Sequence, residues 1–243
     1  MVAVFLHGVP DTPDLWAPLL SALKLPPNLV RSPAFPGFVS PAPVGFSRTK
    51  EAYLNWVIET LEIEASATGP VDLVGHDWGA ALTVKAAHER PDLVRSWVVM
   101  GAVPLPGARW HKTARIWQTP LMGELFMLLA SGNRLKSKLI EAGMPPDLAA
   151  IEAPQVKGEM KRSILKLYRS AIDLGDEWGS DLSQLPKRGL LIWGEKDPFI
   201  RLKVAQRFSE DWGHALHVEP GAGHWAPFER PSEIAERLVA HWA

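Results

Sequence analysis

The stretch Val71-Asp72-Leu73-Val74-Gly75-His76-Asp77-Trp78-Gly79-Ala80-Ala81-Leu82-Thr83-Val84-Lys85-Ala86-Ala87 decides the fold. Its first four residues are a strand-like, mainly apolar run. Its last eight are small and apolar and read as a helix. Between them lies Gly75-His76-Asp77-Trp78-Gly79, a sharp turn with glycines on both sides of a reactive side chain. That is the pattern of a nucleophile elbow, G-x-Nu-x-G, in which a strained strand-to-helix turn exposes one side chain above a sheet. The central side chain here is a carboxylate. A carboxylate attacking an ester would give a mixed anhydride, a poor intermediate. Attack on an sp3 carbon gives an ordinary ester that water can cleave. Asp77 therefore moves the expected substrate from esters and amides to epoxides or alkyl halides.

Working outward, short β-rich runs alternate with helical stretches, which predicts a mostly parallel sheet with right-handed crossovers. Strands are expected near Val2–Leu6, Leu29–Ser32, Val71–Gly75, Ser96–Met100, Gly189–Trp193 and Ala215–Glu219. Thr12-Pro13 reads as an N-cap with proline at the first helical position, opening a helix to about Lys24. Further helices are expected at Ser47–Ala65, from the elbow to Arg90-Pro91, at Ile200–Trp212 and at Pro231–Trp242. The alternation fails between Pro104 and Pro186. Helical pieces there are expected at Trp110–Ala130, Arg134–Ala142 and Pro154–Leu174, with a break at Pro145-Pro146. Residues 1–103 and 187–243 thus read as the core domain, and 104–186 as an inserted helical cap.

The chain has 243 residues, 47% hydrophobic and 22% charged, with a formal net charge of −1. A near-neutral chain has no bulk attraction to nucleic acid or to an anionic membrane, and neither is an expected partner. No run approaches the roughly 20 apolar residues of a membrane span, and no signal-peptide pattern precedes His7. Cysteine is absent, which excludes disulfides, thiolate catalysis and cysteine-bound metals, and fits a reducing, cytoplasmic setting. No H-E-x-x-H, P-loop or dinucleotide fingerprint occurs, so no cofactor or metal is expected. The 11 tryptophans suit either core packing or an apolar pocket for a small hydrophobic substrate. Oligomeric state is not legible.

Two-step hydrolysis through Asp77 needs a base for water and an acid to orient that base. His224 is the candidate base, on the glycine-rich loop Gly221-Ala222-Gly223-His224-Trp225. Asp197, in Trp193-Gly194-Glu195-Lys196-Asp197-Pro198, is the candidate orienter, with Glu195 as its rival. The chain order nucleophile, acid, histidine is that of a hydrolase triad, and all three follow strand carboxyl ends, where open parallel sheets bind ligands. His7-Gly8-Val9-Pro10 follows the first strand. The N–H groups of Val9 and Trp78 are candidate oxyanion-hole donors, and His7, Pro10, Trp110 and Trp225 are candidate pocket residues.

These motifs resemble those of α/β-hydrolase-fold enzymes of the epoxide hydrolase and haloalkane dehalogenase group. The resemblance spans nearly the whole chain and is carried by His7 to Pro10, Gly75 to Gly79, Gly194 to Asp197 and Gly223-His224. Relatives often have a β-hairpin before the His-Gly strand. Its absence here implies a smaller sheet with a different first edge. The resemblance further implies a choice of leaving group. An epoxide oxygen needs a proton donor, supplied in the family by cap tyrosines. Tyr168 stands where the second of these is expected, at helical spacing from Ile164, Leu165 and Ile172. The first has no counterpart, and His111 stands early in the cap in its place. A halide needs N–H donors instead. Trp78 is one, and Trp110, Trp117 or Trp178 could be another, since Val9 offers no side-chain donor. Fluoroacetate chemistry would require an arginine where Trp78 stands. Opening of epoxides to diols is the favoured reading, halide release the alternative, and a non-catalytic small-molecule receptor a third.

Overall fold

Apolar side chains alternate along each central strand between two buried layers, which is how the sheet acquires helices on both faces. The computed structural model describes residues 1–243. In chain order, β1 (Ala3–Leu6), α1 (Ala17–Leu23), β2 (Val30–Arg31), α2 (Lys50–Thr68), β3 (Val71–His76), α3 (Trp78–Glu89) and β4 (Val94–Met100) form the first part. An insert follows, made of α4 (Lys112–Gln118), α5 (Met122–Leu129), α6 (Gly132–Glu141), α7 (Pro146–Glu152), α8 (Gly158–Arg169) and α9 (Leu174–Gly179). Then come β5 (Gly189–Gly194), α10 (Leu202–Trp212), β6 (Ala215–Glu219), α11 (Ala226–Glu229) and α12 (Pro231–Trp242). The six strands pair only in parallel, in the order β2-β1-β3-β4-β5-β6.

Val4, Leu6, Leu73, Trp97, Val99, Leu191 and Trp193 face one layer, shared with α2, α3 and α10. Ala3, Phe5, Val74, Val98, Met100, Leu190 and Ile192 face the other, shared with α1 and α12. The sheet switches direction of winding between β1 and β3, so the loops after β1, β3, β4 and β5 open into one crevice.

Several expected boundaries shift for local reasons. Pro27 starts a 3-10 turn through Leu29 that leaves β2 only two residues, at the edge of the sheet. The helix expected from Thr12 is two pieces: a 3-10 turn over Pro13–Trp16, capped by Thr12, and then α1, which ends at Lys24 in the left-handed region. The expected Trp110–Ala130 helix is also two. Pro120 lacks an N–H, Leu121 takes a φ of 67°, and the chain restarts as α5. Pro145-Pro146 is a start rather than only a break, because Pro146 occupies the tolerated first position of α7. Ile172 lies beyond the end of α8 and is exposed, so it does not share the buried face of Ile164, Leu165 and Tyr168. No helix is long and apolar enough to cross a membrane.

Candidate active site

The elbow is built by close packing. Asp77 has φ 51° and ψ −118°, a region side chains rarely enter, and its N–H is held by the Met100 carbonyl at 2.9 Å. Such strain persists only where surrounding structure enforces it, and it concentrates at functional sites. Gly79 lies so close to β1 that a Cβ there would overlap the Leu6 carbonyl, and a Cβ on Gly75 would overlap Gly79. Helix α3 can therefore start directly under the carboxylate. Gly8 is needed for the same reason: a Cβ there would press on the Asp77 side chain.

The two oxygens of Asp77 have different surroundings. Oδ1 accepts the Val9 N–H at 2.9 Å. Oδ2 lies 3.5 Å from His224 Nε2. The Trp78 N–H heads α3, where helix N–H groups have no intrahelical partner. Of the two expected oxyanion donors, Val9 thus already grips Asp77. His224 Nδ1 lies 2.7 Å from Asp197 Oδ2. Asp197 Oδ1 is held in turn by the N–H groups of Phe199 at 2.8 Å and Ile200 at 3.0 Å. Glu195, the rival acid, is exposed and accepts the Gly221 N–H at 2.9 Å instead.

Electrostatics follow from this geometry. Burial opposes a charge on His224, but the carboxylates of Asp197 and Asp77 outweigh it and raise its pKa well above the ordinary histidine value. Burial alone would raise Asp77, yet His224 and the Val9 N–H hold it below the usual aspartate value. Tyr168 is pushed well above the ordinary tyrosine value by burial and by the Asp77 charge, so its hydroxyl keeps its proton. His111 is lowered by burial, against the attraction of Asp77. Its Nδ1 accepts the Ala114 N–H at 3.3 Å and caps α4. The neutral ring then carries its proton on Nε2, which makes it a donor.

A cavity of about 400 Å³ opens over Asp77. Its wall brings together Val9, Pro10, His111, Tyr168, His224 and Trp225 from the expected set. A smaller cavity of about 60 Å³ also reaches Asp77 and is lined by Trp78, Trp110 and His111. His7 is a correction. It is fully buried beneath the site, where its Nε2 accepts the Phe35 N–H at 3.0 Å and its Nδ1 meets the Gly8 carbonyl at 2.8 Å. Burial lowers its pKa to about 4, so it stays neutral and holds the β1 loop rather than a ligand. Trp110 is partly committed as well, because its indole N–H donates to the Ala171 carbonyl at 2.8 Å. Trp178 packs in the core away from both cavities. The Nε1 atoms of Trp78 and Trp117 are buried without an aligned acceptor, and Trp117 lines the larger cavity.

A buried polar group beneath His224 escaped the sequence reading. His76 Nε2 lies 2.9 Å from the His224 carbonyl, and its Nδ1 lies 3.4 Å from Asp11 Oδ2. Asp11 Oδ1 accepts the Trp225 indole N–H at 3.1 Å. Glu152, from α7 of the insert, accepts the Thr12 N–H at 2.9 Å and is wholly buried. Burial and the Asp11 charge raise its pKa to about 8. The available signal was adjacency: Asp11 follows His7 to Pro10, and His76 sits inside the elbow.

A parallel sheet carrying an elbow after β3, an acid after β5 and a histidine after β6 defines an α/β hydrolase. The family described as "Alpha/beta hydrolase family" matches residues 3–237, and the chain belongs to it. It is 26% identical over 263 aligned positions to epoxide hydrolase 3 of Xenopus tropicalis, covering 95% of this chain and 68% of that protein. It is 24% identical over 287 positions to a haloalkane dehalogenase of Bradyrhizobium diazoefficiens, covering 99% and 86%. Among solved structures, a haloalkane dehalogenase from Bradyrhizobium elkani superposes with a TM-score of 0.77 at 23% identity, covering 99% of this chain and 89% of that one. An epoxide hydrolase from Vigna radiata gives 0.75 at 19%, covering 98% and 90%. The chain is thus an α/β hydrolase family member that is similar, at low identity, to epoxide hydrolases and haloalkane dehalogenases alike.

Proposed function

We propose that the protein hydrolyses epoxides to vicinal diols through an ester on Asp77, with residues 104–186 acting as a cap over the reacting carbon. Asp77 Oδ2 attacks the epoxide carbon and the C–O bond opens. Tyr168 and His111 donate to the departing oxygen, which leaves as an alcohol once protonated. His224, oriented by Asp197, then takes a proton from water. That water attacks the ester carbonyl, while Val9 and Trp78 N–H groups stabilise the oxyanion. Collapse breaks the acyl C–O bond, and the departing alkoxide takes the proton from His224 and leaves as the diol. The Asp77 carboxyl releases its proton, which restores the acid that opened the epoxide.

One observation carries this reading over its rival: two protonated donors, the Tyr168 hydroxyl and His111 Nε2, line the cavity that holds Asp77. A general acid of this kind typically contributes about 10²–10⁴-fold. Halide release is the second reading, supported by the two unengaged indole N–H groups of Trp78 and Trp117. A side-by-side assay with epoxide and haloalkane panels decides. Diol without halide supports the proposal, and halide release overturns it. Binding without turnover, unchanged in Asp77→Ala, would leave the receptor reading standing.

A further inference from the structure

Helix α5 is apolar almost all the way round, Met122-Gly123-Glu124-Leu125-Phe126-Met127-Leu128-Leu129. Such a helix is normally buried. Here Gly123 and Met127 face inward, Leu121 precedes the helix, and Leu121, Met122, Leu125, Leu128 and Leu129 are between 51% and 82% exposed. At about 100° per residue, those five side chains fall within an arc of about 120°. They form one continuous stripe rather than scattered singles, and exposed apolar patches of this kind mark interaction surfaces.

The surroundings say what covers it. Helices α4, α5, α6 and α8 together carry nine lysines and arginines against three glutamates, in a chain whose net charge is −1. All three glutamates are engaged. Glu124 holds Arg169 at 2.7 Å, Glu141 holds Lys138 at 2.6 Å, and Glu159 holds Arg48 at 2.7 Å. Lys112 and Arg115 stand exposed on the helix packed against α5, and on the helix that follows it Arg134 is exposed and Lys136 half-buried. An apolar stripe flanked by basic groups is the pattern of an element that lies on an anionic lipid surface. A second copy of the chain fits less well, because two such faces brought together would set basic groups against basic groups.

The stripe also borders the larger cavity: Leu129, Arg134 and Lys138 belong to its wall. We propose that the α5 stripe and its basic flanks form a peripheral docking surface for anionic membranes, which places the cavity mouth at the lipid interface. This overrides the expectation drawn from net charge, since charge is distributed unevenly and the basic excess falls on the four helices α4, α5, α6 and α8. Docking is independent of the chemistry assigned to Asp77, and its failure would leave that chemistry intact.

Flotation of the full chain with vesicles tests it. The wild type should bind vesicles of equimolar phosphatidylglycerol and phosphatidylcholine. Binding should fall at least tenfold on phosphatidylcholine alone, and again on raising salt from about 50 to 500 mM. Leu125→Glu with Leu128→Glu, both outside the cavity wall, should reduce binding at least tenfold with unchanged circular dichroism. Arg115→Glu with Lys136→Glu is a second variant that leaves the stripe intact and should also weaken binding. No binding by wild type, or equal binding by the leucine variant, overturns the proposal. So does a concentration-dependent dimer, seen by light scattering in wild type and abolished by the leucine changes.

Discussion

Replacing His224 by Gln separates the two halves of the proposed reaction. Glutamine keeps similar bulk and can still hydrogen-bond Asp197, but it cannot take a proton. Ester formation needs no base, only an ionised Asp77. The variant loses the part of the pKa lowering that His224 supplies and keeps that of the Val9 N–H, so the assay belongs on the alkaline side, where the carboxyl is ionised. Ester hydrolysis does need a base. Losing a general base costs about 10²–10⁴ in rate, which is about 3–5 kcal/mol of barrier at 1.36 kcal/mol per decade. The variant should therefore stop after one turnover. Intact-protein mass spectrometry should show one adduct of the epoxide's full mass per chain, which peptide mapping places on Asp77. Structural cost must be kept apart from this. The imidazolium sits 2.7 Å from Asp197 and 3.5 Å from Asp77, and removing it leaves two buried carboxylates uncompensated. Breaking such a pairing costs roughly 3–5 kcal/mol, so the assay belongs well below the variant's lowered melting temperature. Multiple turnover within tenfold of wild type would refute the assignment of His224 as base. A folded variant without adduct would refute Asp77 as nucleophile toward that substrate.

Tyr168→Phe should slow adduct formation by about 10²-fold or more, read in single-turnover mode, while leaving hydrolysis of the preformed ester nearly unchanged. An unchanged first step removes Tyr168 from the reaction. Glu152→Gln keeps an acceptor for the Thr12 N–H and removes a buried acid. Because the pKa of Glu152 is raised to about 8, folding favours its protonated form, and its contribution declines as pH rises from about 4.5 to 8. The variant should match wild type at pH 5 and exceed it by about 1–3 kcal/mol at pH 8, read from denaturant midpoints. Equal stability at both pH values would refute the buried-acid account. Gly79→Ala should destabilise by about 3 kcal/mol or more, since overpacking against backbone cannot be relieved by a rotamer change; normal thermal stability would contradict the close approach to Leu6.

Much of this architecture was legible because its cause is local. The elbow advertises itself through two glycines whose spacing the packing of α3 on β1 requires. The strands were readable because parallel strands covered on both faces are nearly continuous apolar runs. What escaped depends on which remote residues meet. His7 resembles a pocket residue in sequence, yet its ring turns down to the Phe35 N–H, a contact across 28 positions that no local rule supplies. Glu152 reads as an ordinary surface acid on a short helix, and only its docking beside Asp11 and Thr12 buries it. The exposed α5 face was hidden differently. Its leucines look like core, and core is the usual fate of such a run, so the sequence could not separate a buried helix from an uncovered one.

The charges of the site also order the proposed steps. In the resting state His224 is held between two carboxylates, and both favour its protonated form. An imidazolium at Nε2 cannot act as a base, but it can hydrogen-bond Asp77 and hold Oδ2 in place. When Asp77 becomes an ester, its negative charge disappears. His224 then keeps only Asp197 as an attractive partner, and burial, which opposes the charge, gains relative weight. Its proton affinity drops at the moment a base is required. The same coupling works in reverse: hydrolysis regenerates the Asp77 carboxylate, which recovers the proton on His224. The sign follows for stability. A histidine with a raised folded pKa contributes stabilisation that is complete below about pH 6.5 and fades as pH rises through the folded value. The stability gap between wild type and His224→Gln should therefore be widest near pH 6 and narrow in the alkaline range. A gap independent of pH would mean that His224 is neutral at rest, and the electrostatic ordering of the two steps would fall with it.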